Sequence, residues 1–344
     1  MILTNEIQKK LETIIAKIND SQKILVISDS SMVDEDCIYS GLSLRWLFEH
    51  LGKSVDNVIF SKINDTFAKK KDVNLVTSCF PDQVDFHQYD LVFLVDSPQW
   101  SRILTIKAEE ILLLHGKDKF VLFDHHMPED IDADLGDQSI DYPSSSTGLL
   151  IYQTLFKTLG IVPDLTCAEY LYRTVISDTQ CLKVNSNADT FEFCAEFQKL
   201  GVDHQKIVEE LSEVSKPAMD FFAYCLSKTE YYPNLNCTVL YQDEAFVDYC
   251  NEVFGDTWRE VEMLSMYKES FMRRITGFEH GLILWTRNDP EKTKVSWRSK
   301  EYITFDLAGF LAQLGFKTGG HKNAGGGSVM KSIEQVRSEI EAQT

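Results

Sequence analysis

The sequence has no uninterrupted apolar run of about 18 residues, the length that a membrane-spanning helix needs, so no such helix is expected. Its eight cysteines are scattered, and the absence of a C-x-x-C pair argues against a zinc ribbon or a thioredoxin-like site.

Positively charged residues are few: the sequence has 34 lysines and arginines and 53 aspartates and glutamates, which gives a formal net charge of −19. Long nucleic acids are bound through many contacts between basic side chains and phosphates, so this balance argues against such a partner. A short anionic substrate, held by bound cations and a few basic groups, is compatible with it.

The residues that are present are typical of a globular protein with room for two domains. Hydrophobic residues make up 44% of the 344 residues, so the chain can bury a sizeable core without disulfides. Residues 1–20 are predicted to form an amphipathic helix, because isoleucine and leucine recur there at helical spacing. They lack the compact apolar core of a signal peptide, so we expect a cytoplasmic protein with reduced thiols.

The first half of the chain alternates short apolar runs with helical segments. Strands are predicted at residues 24–27, 57–60, 91–95 and 120–123, and a helix at 37–51. This rhythm predicts an α/β fold with a mostly parallel sheet covered by helices on both faces. Further helices are predicted at 147–159, 167–176, 189–200 and 204–211, with Thr166 and Asn187 as N-caps. The run Lys69-Lys70-Lys71 is interpreted as a solvated surface segment.

A second, smaller α/β domain is predicted for the C-terminal part. Strands are expected near residues 238–241, 281–286 and 294–297, followed by a helix at 304–314 and a glycine-rich turn at 319–327. We therefore divide the chain into a domain of residues 1–215, a linker region at 216–236 and a domain of residues 237–344. An active-site cleft is expected between the two domains.

Acidic residues and imidazoles stand where the predicted strands and one helix end. They are Asp34, Asp36, Asp96, Asp124, His125, His126 and Asp178. Ligands of parallel sheets gather beyond the carboxyl ends of the strands, and carboxylates that share one place repel each other unless a cation or a proton lies between them. Carboxylates with a neutral imidazole suit Mn²⁺ or Mg²⁺, and two such ions about 3.5–4 Å apart suit phosphoryl transfer. A single aspartate after a strand is more often a helix cap or a turn residue, and that alternative stays open for each one alone.

The sequence Phe123-Asp124-His125-His126 resembles the motif that gives the DHH phosphoesterase superfamily its name. Residues 34–41, with the pattern Asp-x-Asp-x-Ile-x-Ser-Gly, are similar to the first motif of that superfamily, and Val95-Asp96 to the second. Residues 145–147 and 171–179 are similar to the fourth, and residues 295–299 and 319–325 to the two signatures of the DHH-associated C-terminal domain. The resemblance covers nearly the whole chain, and the branch it resembles most is the nanoRNase and pAp phosphatase group, together with stand-alone enzymes that cleave pApA.

The resemblance implies a cytoplasmic hydrolase with two Mn²⁺ ions, for which Mg²⁺ is an alternative. One ion would be held by Asp36, Asp96, His125 and Asp178, and the other by Asp34 and the bridging Asp96. His126 would contact the scissile phosphate, and Asp124 would orient a histidine. The substrate-binding residues implied in the second domain are Arg298, Ser299, Gly319, Gly320, His321 and Asn323. The implied partner is a short oligonucleotide or nucleotide rather than long nucleic acid or a membrane, and a homodimer is compatible with it.

Several positions depart from the motifs of the superfamily. Ser30 replaces the histidine of the first motif, and Asp29, a water or the substrate phosphate are alternatives for the missing ligand. Gln180 replaces a glycine, and Lys317-Thr318 interrupts the glycine run before His321. Two further functions therefore stay open: a nucleotide-binding protein with impaired catalysis, and a RecJ-like single-strand exonuclease. The net charge of −19 argues against the exonuclease.

Overall fold

The computed structural model describes residues 4–29, 33–63, 67–97, 99–104, 108–126, 135–255, 258, 261–272, 274–286, 289–300, 302–321 and 323–343. The chain divides into two compact units, residues 1–212 and residues 213–344. None of the helices within the described ranges has the length and apolar character needed to traverse a bilayer.

The first unit contains a six-stranded parallel sheet, which confirms the sheet type expected from the sequence. Its strands are β1 (Lys23–Ser28), β2 (Ser54–Ile59), β3 (Thr77–Ser78), β4 (Leu91–Val95), β5 (Phe120–Asp124) and β6 (Ser139–Asp141). They lie in the order β3-β2-β1-β4-β5-β6. Ser28 pairs with Val95 and Val95 with Phe123, so β1, β4 and β5 end at the same level. The polar residues that follow these strands therefore meet at one edge.

Helices cover both faces of this sheet. They are α1 (Asn5–Asp20), α2 (Glu35–His50), α3 (Trp100–Ile103), α4 (Ala108–His115), α5 (Thr147–Ile151), α6 (Lys157–Leu159), α7 (Leu165–Asp178), α8 (Ala188–Lys199) and α9 (His204–Ser212). Alternate strand residues face opposite sides: Ile24 and Val26 pack with α1, α2 and α7, whereas Leu25 and Ile27 pack with α3 and α4. A π-helical stretch, Tyr152–Phe156, joins α5 to α6, so the helix predicted at 147–159 is continuous.

The helix starts follow the capping chemistry of the sequence, with one correction. Asn187 caps α8 as predicted, since its side chain accepts the N–H of Thr190 at 3.1 Å. The prediction of Thr166 as the cap of α7 is wrong. Asp164 takes that place, because its carboxylate accepts the N–H of Cys167 at 2.9 Å, three residues further on.

The second unit contains a mixed sheet with helices on both faces. Its strands are β7 (Glu230–Tyr232), β8 (Cys237–Gln242), β9 (His280–Trp285), β10 (Thr293–Ser299), β11 (Lys317–His321) and β12 (Ala324–Val329), and they lie in the order β11-β12-β10-β9-β8-β7. Its helices include α10 (Lys216–Ser227), α11 (Glu244–Phe254), α12 (Val261–Tyr267), α13 (Leu307–Gln313) and α14 (Ile333–Glu341). Only β8 and β9 pair in parallel among these strands.

Three sequence predictions for this unit differ from the structure. Residues 216–236, expected as a linker, contain α10 and β7 and group with the second unit. The helix predicted at 304–314 begins at Leu307, because the Asp306 carboxylate caps it through the N–H of Gly309. The glycine-rich turn predicted at 319–327 is a hairpin of β11 and β12. A Cβ at Gly325 would overlap the Trp297 ring, so glycine lets this strand cover the indole.

Candidate functional site

The first feature of the site is the left-handed turn of the backbone at Asp96, directly after β4. The N–H of Asp96 donates to the carbonyl of Phe123 at 2.9 Å, and the residue has a φ of 62°. This left-handed conformation is costly for a residue other than glycine, although aspartate tolerates it better than most. The buried Asp96 carboxylate accepts a hydrogen bond from the Thr147 hydroxyl at 2.8 Å. The turn therefore directs the carboxylate towards the start of α5.

Asp36 lies in the first turn of α2, and its carboxylate is buried. It accepts the backbone N–H groups of Thr147 at 2.7 Å and Gly148 at 3.2 Å, and the hydroxyl of Ser40 at 2.8 Å. Asp34 takes a different position, because it is the N-cap of α2 and accepts the N–H of Cys37 at 2.9 Å. Helix α2 therefore begins between the two aspartates. Asp34 caps this helix through Oδ1.

His125 occupies the centre of the cluster. Its Nδ1 lies 3.0 Å from the carbonyl oxygen of Ser144, and because a carbonyl only accepts, Nδ1 carries the hydrogen of this bond. The other ring nitrogen, Nε2, faces carboxylate oxygens of Asp178 at 3.1 Å, Asp36 at 3.5 Å and Asp96 at 3.6 Å. The structure thus brings together all four residues for which the motifs imply one shared metal ion.

Electrostatics make this arrangement unfavourable without a cation. Burial raises the pKa of Asp178 to about 8 and that of Asp34 to about 6, and the charge of Asp36 adds to both shifts. Burial and the charges of Asp36 and Asp34 also raise the pKa of Asp96 well above its usual range. Burial alone would lower the pKa of His125, but its hydrogen bond to Asp178 and the charges of Asp178 and Asp36 raise it to about 10. A divalent ion would remove this repulsion, so the donor set fits a metal.

His126 and Asp124 form a separate pair beside this cluster. Nδ1 of His126 lies 2.6 Å from Oδ1 of the fully buried Asp124, and the histidine side chain is 31% exposed. One nitrogen of the His126 ring also lies within 4.8 Å of ligand atoms of Asp96 and His125. Asp124 is therefore placed to orient a partly exposed imidazole at the edge of the acidic cluster.

Sequence reasoning missed several partners of these residues. The carbonyl of Ser144 and the N–H groups at the start of α5 are backbone groups, so no residue type marks them in the sequence. Asp29, considered as a substitute ligand, is buried and pairs with Arg102. Ser30 lies outside the described residues.

The lysine run at 69–71 lies at the surface as interpreted, since Lys69 and Lys71 are exposed and Lys70 is partly exposed, but two of its lysines also form ion pairs. Nζ of Lys70 lies 2.6 Å from Oε1 of the buried Glu35, and Nζ of Lys71 lies 2.5 Å from Oε2 of Glu169. The sequence could not show this, because both acidic partners belong to helices remote along the chain.

The substrate-binding residues predicted in the second unit gather at one end of its sheet. Arg298 is half-buried on β10 and pairs across the ladder with Ala324, which also pairs with His321. The backbone N–H of Ser299 donates to the carbonyl of Asn323 at 2.8 Å. Gly319 and Gly320 pair with Gly326 and Gly325 in the hairpin. Only the backbone of His321 is among the described features, so its predicted phosphate contact stays a prediction.

Ser299 does not have the exposure that a substrate contact requires. Its side chain is buried, and its hydroxyl lies 2.7 Å from Nδ1 of His280, whose Nε2 donates to the carbonyl of Phe305 at 3.0 Å. Alternation along β10 puts Ser299 on the buried side with Val295 and Trp297. The structure therefore contradicts a direct contact of this hydroxyl with substrate.

Two solved structures have the same architecture. An exopolyphosphatase-related protein from Bacteroides fragilis superposes with a TM-score of 0.77 at 21% identity, over 98% of this chain and 95% of that chain. The DHH domain of a member of the s1p family of ribosomal proteins superposes with a TM-score of 0.57 at 15% identity, over 99% of this chain and 91% of that chain. The chain has the DHH fold. The superpositions therefore confirm, for the fold, the resemblance of the sequence motifs to the DHH superfamily. Neither a protein-family model nor a curated protein matches the sequence.

Proposed function

We propose that this chain is a metal-dependent hydrolase of phosphate esters, acting on short oligonucleotides or small nucleotides such as nanoRNA, pAp or pApA. The observation that carries the proposal is the convergence of the Asp36, Asp96 and Asp178 carboxylates on Nε2 of His125. The DHH fold around that cluster and the order of the motifs support the same reaction class. The net charge of −19 favours a short substrate over long nucleic acid.

The residues of the cluster fit a divalent ion such as Mn²⁺ or Mg²⁺, and we propose that two such ions bind. Carboxylate oxygens and one imidazole are ligands that these ions accept, and the bond from Nδ1 of His125 to Ser144 leaves Nε2 free to bind metal. Asp36, Asp96, His125 and Asp178 would hold one ion, while Asp34 and Asp96 would hold the other. When bound, such a pair supplies a hydroxide nucleophile at neutral pH and neutralises charge on the phosphoryl group.

The remaining residues bind and orient the substrate. Asp124 fixes the His126 ring through Nδ1, so Nε2 of His126 is the nitrogen that contacts a phosphoryl oxygen. Arg298 offers a planar fork for a terminal phosphate. Gly319 and Gly320 let the backbone approach the nucleotide, and His321 and Asn323 supply further polar contacts.

The proposal is tested by release of mononucleotide from pAp, pApA and oligonucleotides of two to twenty residues with Mn²⁺. The decisive variant is Asp96→Asn, which removes the charge while keeping a residue type that accepts a left-handed backbone. We expect turnover to fall at least about 100-fold, because one ligand of both ions is lost. Asp82→Asn, at an exposed position in another segment, is the matched control. Equal turnover in Asp96→Asn and wild type would overturn the proposal.

One observation favours a second candidate, a nucleotide-binding protein with impaired catalysis. Ser30 replaces a metal-binding histidine, and the neighbouring Asp29 carboxylate is engaged by Arg102. This candidate predicts nucleotide binding without turnover at saturating Mn²⁺, and a large gain in rate for Ser30→His. A RecJ-like exonuclease would instead cleave the longest oligonucleotides of the panel at least as fast as the shortest.

A further inference from the structure

Glu35 stands between two proposed metal ligands, yet its carboxylate has other partners. The side chain is 4% exposed. Its Oε1 lies 2.6 Å from Nζ of Lys70, and its Oε2 lies 4.0 Å from Nη1 of Arg173. Neither of these contacts involves the cluster around His125, so Glu35 serves a different purpose from Asp34 and Asp36.

Arg173 is the buried partner in this network. It lies on α7, its side chain is 4% exposed, and it also pairs with Glu210 of α9. Its guanidinium lies 5.4 Å from the centre of the Tyr39 ring, which belongs to α2. The same arginine therefore contacts α2 twice, through a carboxylate at the start of that helix and through a ring one turn later.

The location of these contacts connects the network to the proposed metal centre. Glu35 is the first residue of α2, directly before Asp36, and Asp178 is the last residue of α7, five residues after Arg173. The carboxylates of Asp36 and Asp178 lie 3.5 Å and 3.1 Å from Nε2 of His125. A contact between Glu35 and Arg173 thus holds together the two helix ends that supply ligands from outside the sheet.

Stabilisation of the fold alone does not explain why Glu35 and Arg173 are both charged. A buried ion pair is often no more stabilising than well-packed apolar residues of similar volume, because its desolvation cost offsets its attraction. Oε2 of Glu35 lies 4.0 Å from Nη1 of Arg173, so the two groups attract each other as charges and not through a hydrogen bond. Both side chains are buried, and the attraction between α2 and α7 is therefore only weakly screened by water. An attraction between these helices matters where a ligand from each must reach one ion.

We infer that Glu35 and Arg173 are positioning residues of the metal centre, and that they set the spacing between Asp36 and Asp178. The inference rests on the proposed function. Loss of a group that hydrogen-bonds a metal ligand costs on the order of 10–100-fold in metal affinity, and Glu35 acts one step further out, through the ends of the two helices. We therefore expect Glu35→Gln to weaken Mn²⁺ binding about 10-fold, at the lower end of that range, because Asp36 keeps its own hydrogen bonds.

The experiment is a calorimetric Mn²⁺ titration of the full chain, together with turnover of pApA as a function of Mn²⁺ concentration. Glu35→Gln is expected to need about 10-fold more Mn²⁺ for half-maximal turnover, with the maximal rate restored at saturating metal. Glu169→Gln is the matched control, because it removes a carboxylate of α7, the helix of Arg173, that pairs with Lys71 outside this network. Arg173→Lys keeps the charge but has one nitrogen in place of the two that face Glu35 and Glu210, and is expected to fall between Glu35→Gln and wild type.

The outcomes separate the inference from the function on which it rests. Wild-type protein that binds no Mn²⁺ would defeat the proposed function itself. Wild-type Mn²⁺ affinity in a folded Glu35→Gln, with only a lower melting temperature, would overturn the inference and leave the function intact. If Glu35→Gln does not fold, Lys70→Met removes the half-exposed end of the same network and is judged by the same criterion.

Discussion

His125 donates a hydrogen bond from Nδ1 to the carbonyl oxygen of Ser144 over 3.0 Å, so its Nε2 is directed at the carboxylates of the cluster. Ser144 precedes the N-terminus of α5, whose first N–H groups bind the Asp36 carboxylate. One short segment thus orients both the imidazole and a carboxylate. Backbone groups of this segment therefore preorganise two of the proposed metal ligands, His125 and Asp36.

The stability of the metal-free protein is predicted to fall as pH rises. The pKa values of Asp34, Asp178 and His125 are raised to about 6, 8 and 10, so the folded state holds protons that the unfolded state releases. Their contribution is present below the unfolded values and is lost as pH rises through the folded ones. Melting temperatures in EDTA should therefore decrease from pH 5 to pH 8, and the stabilisation by Mn²⁺ should increase.

Asp178→Asn provides the control for that pH dependence. It removes one of the raised carboxyl groups, so the slope of melting temperature against pH in EDTA should become shallower. A Mn²⁺ shift of equal size at pH 5 and pH 8 in the wild type would contradict the prediction, because metal and protons would then not compete.

Asp124→Asn is predicted to impair turnover without impairing metal binding. The carboxylate holds Nδ1 of His126 at 2.6 Å, and the four residues around His125 Nε2 do not depend on it. Loss of an orienting partner should lower kcat about 10–100-fold. Calorimetry with Mn²⁺ checks whether metal affinity is unchanged in this variant. If Mn²⁺ affinity falls together with kcat, His126 binds metal rather than substrate.

Arg298→Lys is predicted to raise KM about 10-fold while kcat and Mn²⁺ affinity stay near wild type, because an ammonium group lacks the bidentate fork. Ser299→Ala, the neighbouring variant, should leave KM unchanged and cost about 1 kcal/mol of stability, since its hydroxyl is hydrogen-bonded to His280. Steady-state kinetics and urea unfolding of the two variants test this division. A larger KM effect for Ser299→Ala than for Arg298→Lys would refute it.

Gln180→Gly is predicted to be more stable than Gln180→Ala by about 1 kcal/mol, the opposite of the order found inside helices. Gln180 has a φ of 49° and is followed by two further residues with positive φ, Cys181 at 57° and Leu182 at 64°. Both variants remove the glutamine side chain and differ only in the Cβ atom. The difference between their urea midpoints therefore measures the cost of a Cβ atom in this backbone conformation. Equal midpoints would mean that the left-handed turn imposes no strain at this position.

The sequence was sufficient for the parallel sheet of the first unit and for the composition of the candidate metal cluster. Strands 91–95 and 120–123 are unbroken apolar runs of the length that a doubly covered sheet requires, and they end in Asp96 and in the triplet 124–126. In a parallel sheet, residues after successive strands meet at one edge whatever the details of the loops. The meeting of Asp36, Asp96 and His125 was therefore predictable from the strands, whereas Asp178, at the end of a helix, was assigned to the same ion only by the resemblance of the motifs.

Only the tertiary structure decided how those residues are held. The Ser144 carbonyl, the left-handed turn at Asp96 and the contact of Glu35 with Lys70 and Arg173 depend on backbone direction and on helices far apart in sequence. The burial of Ser299 against His280 likewise follows from strand register. Periodicity and motifs report which side chains are present and roughly where each element ends. Long-range packing sets the direction in which each polar group points, and the proposed chemistry depends on that direction.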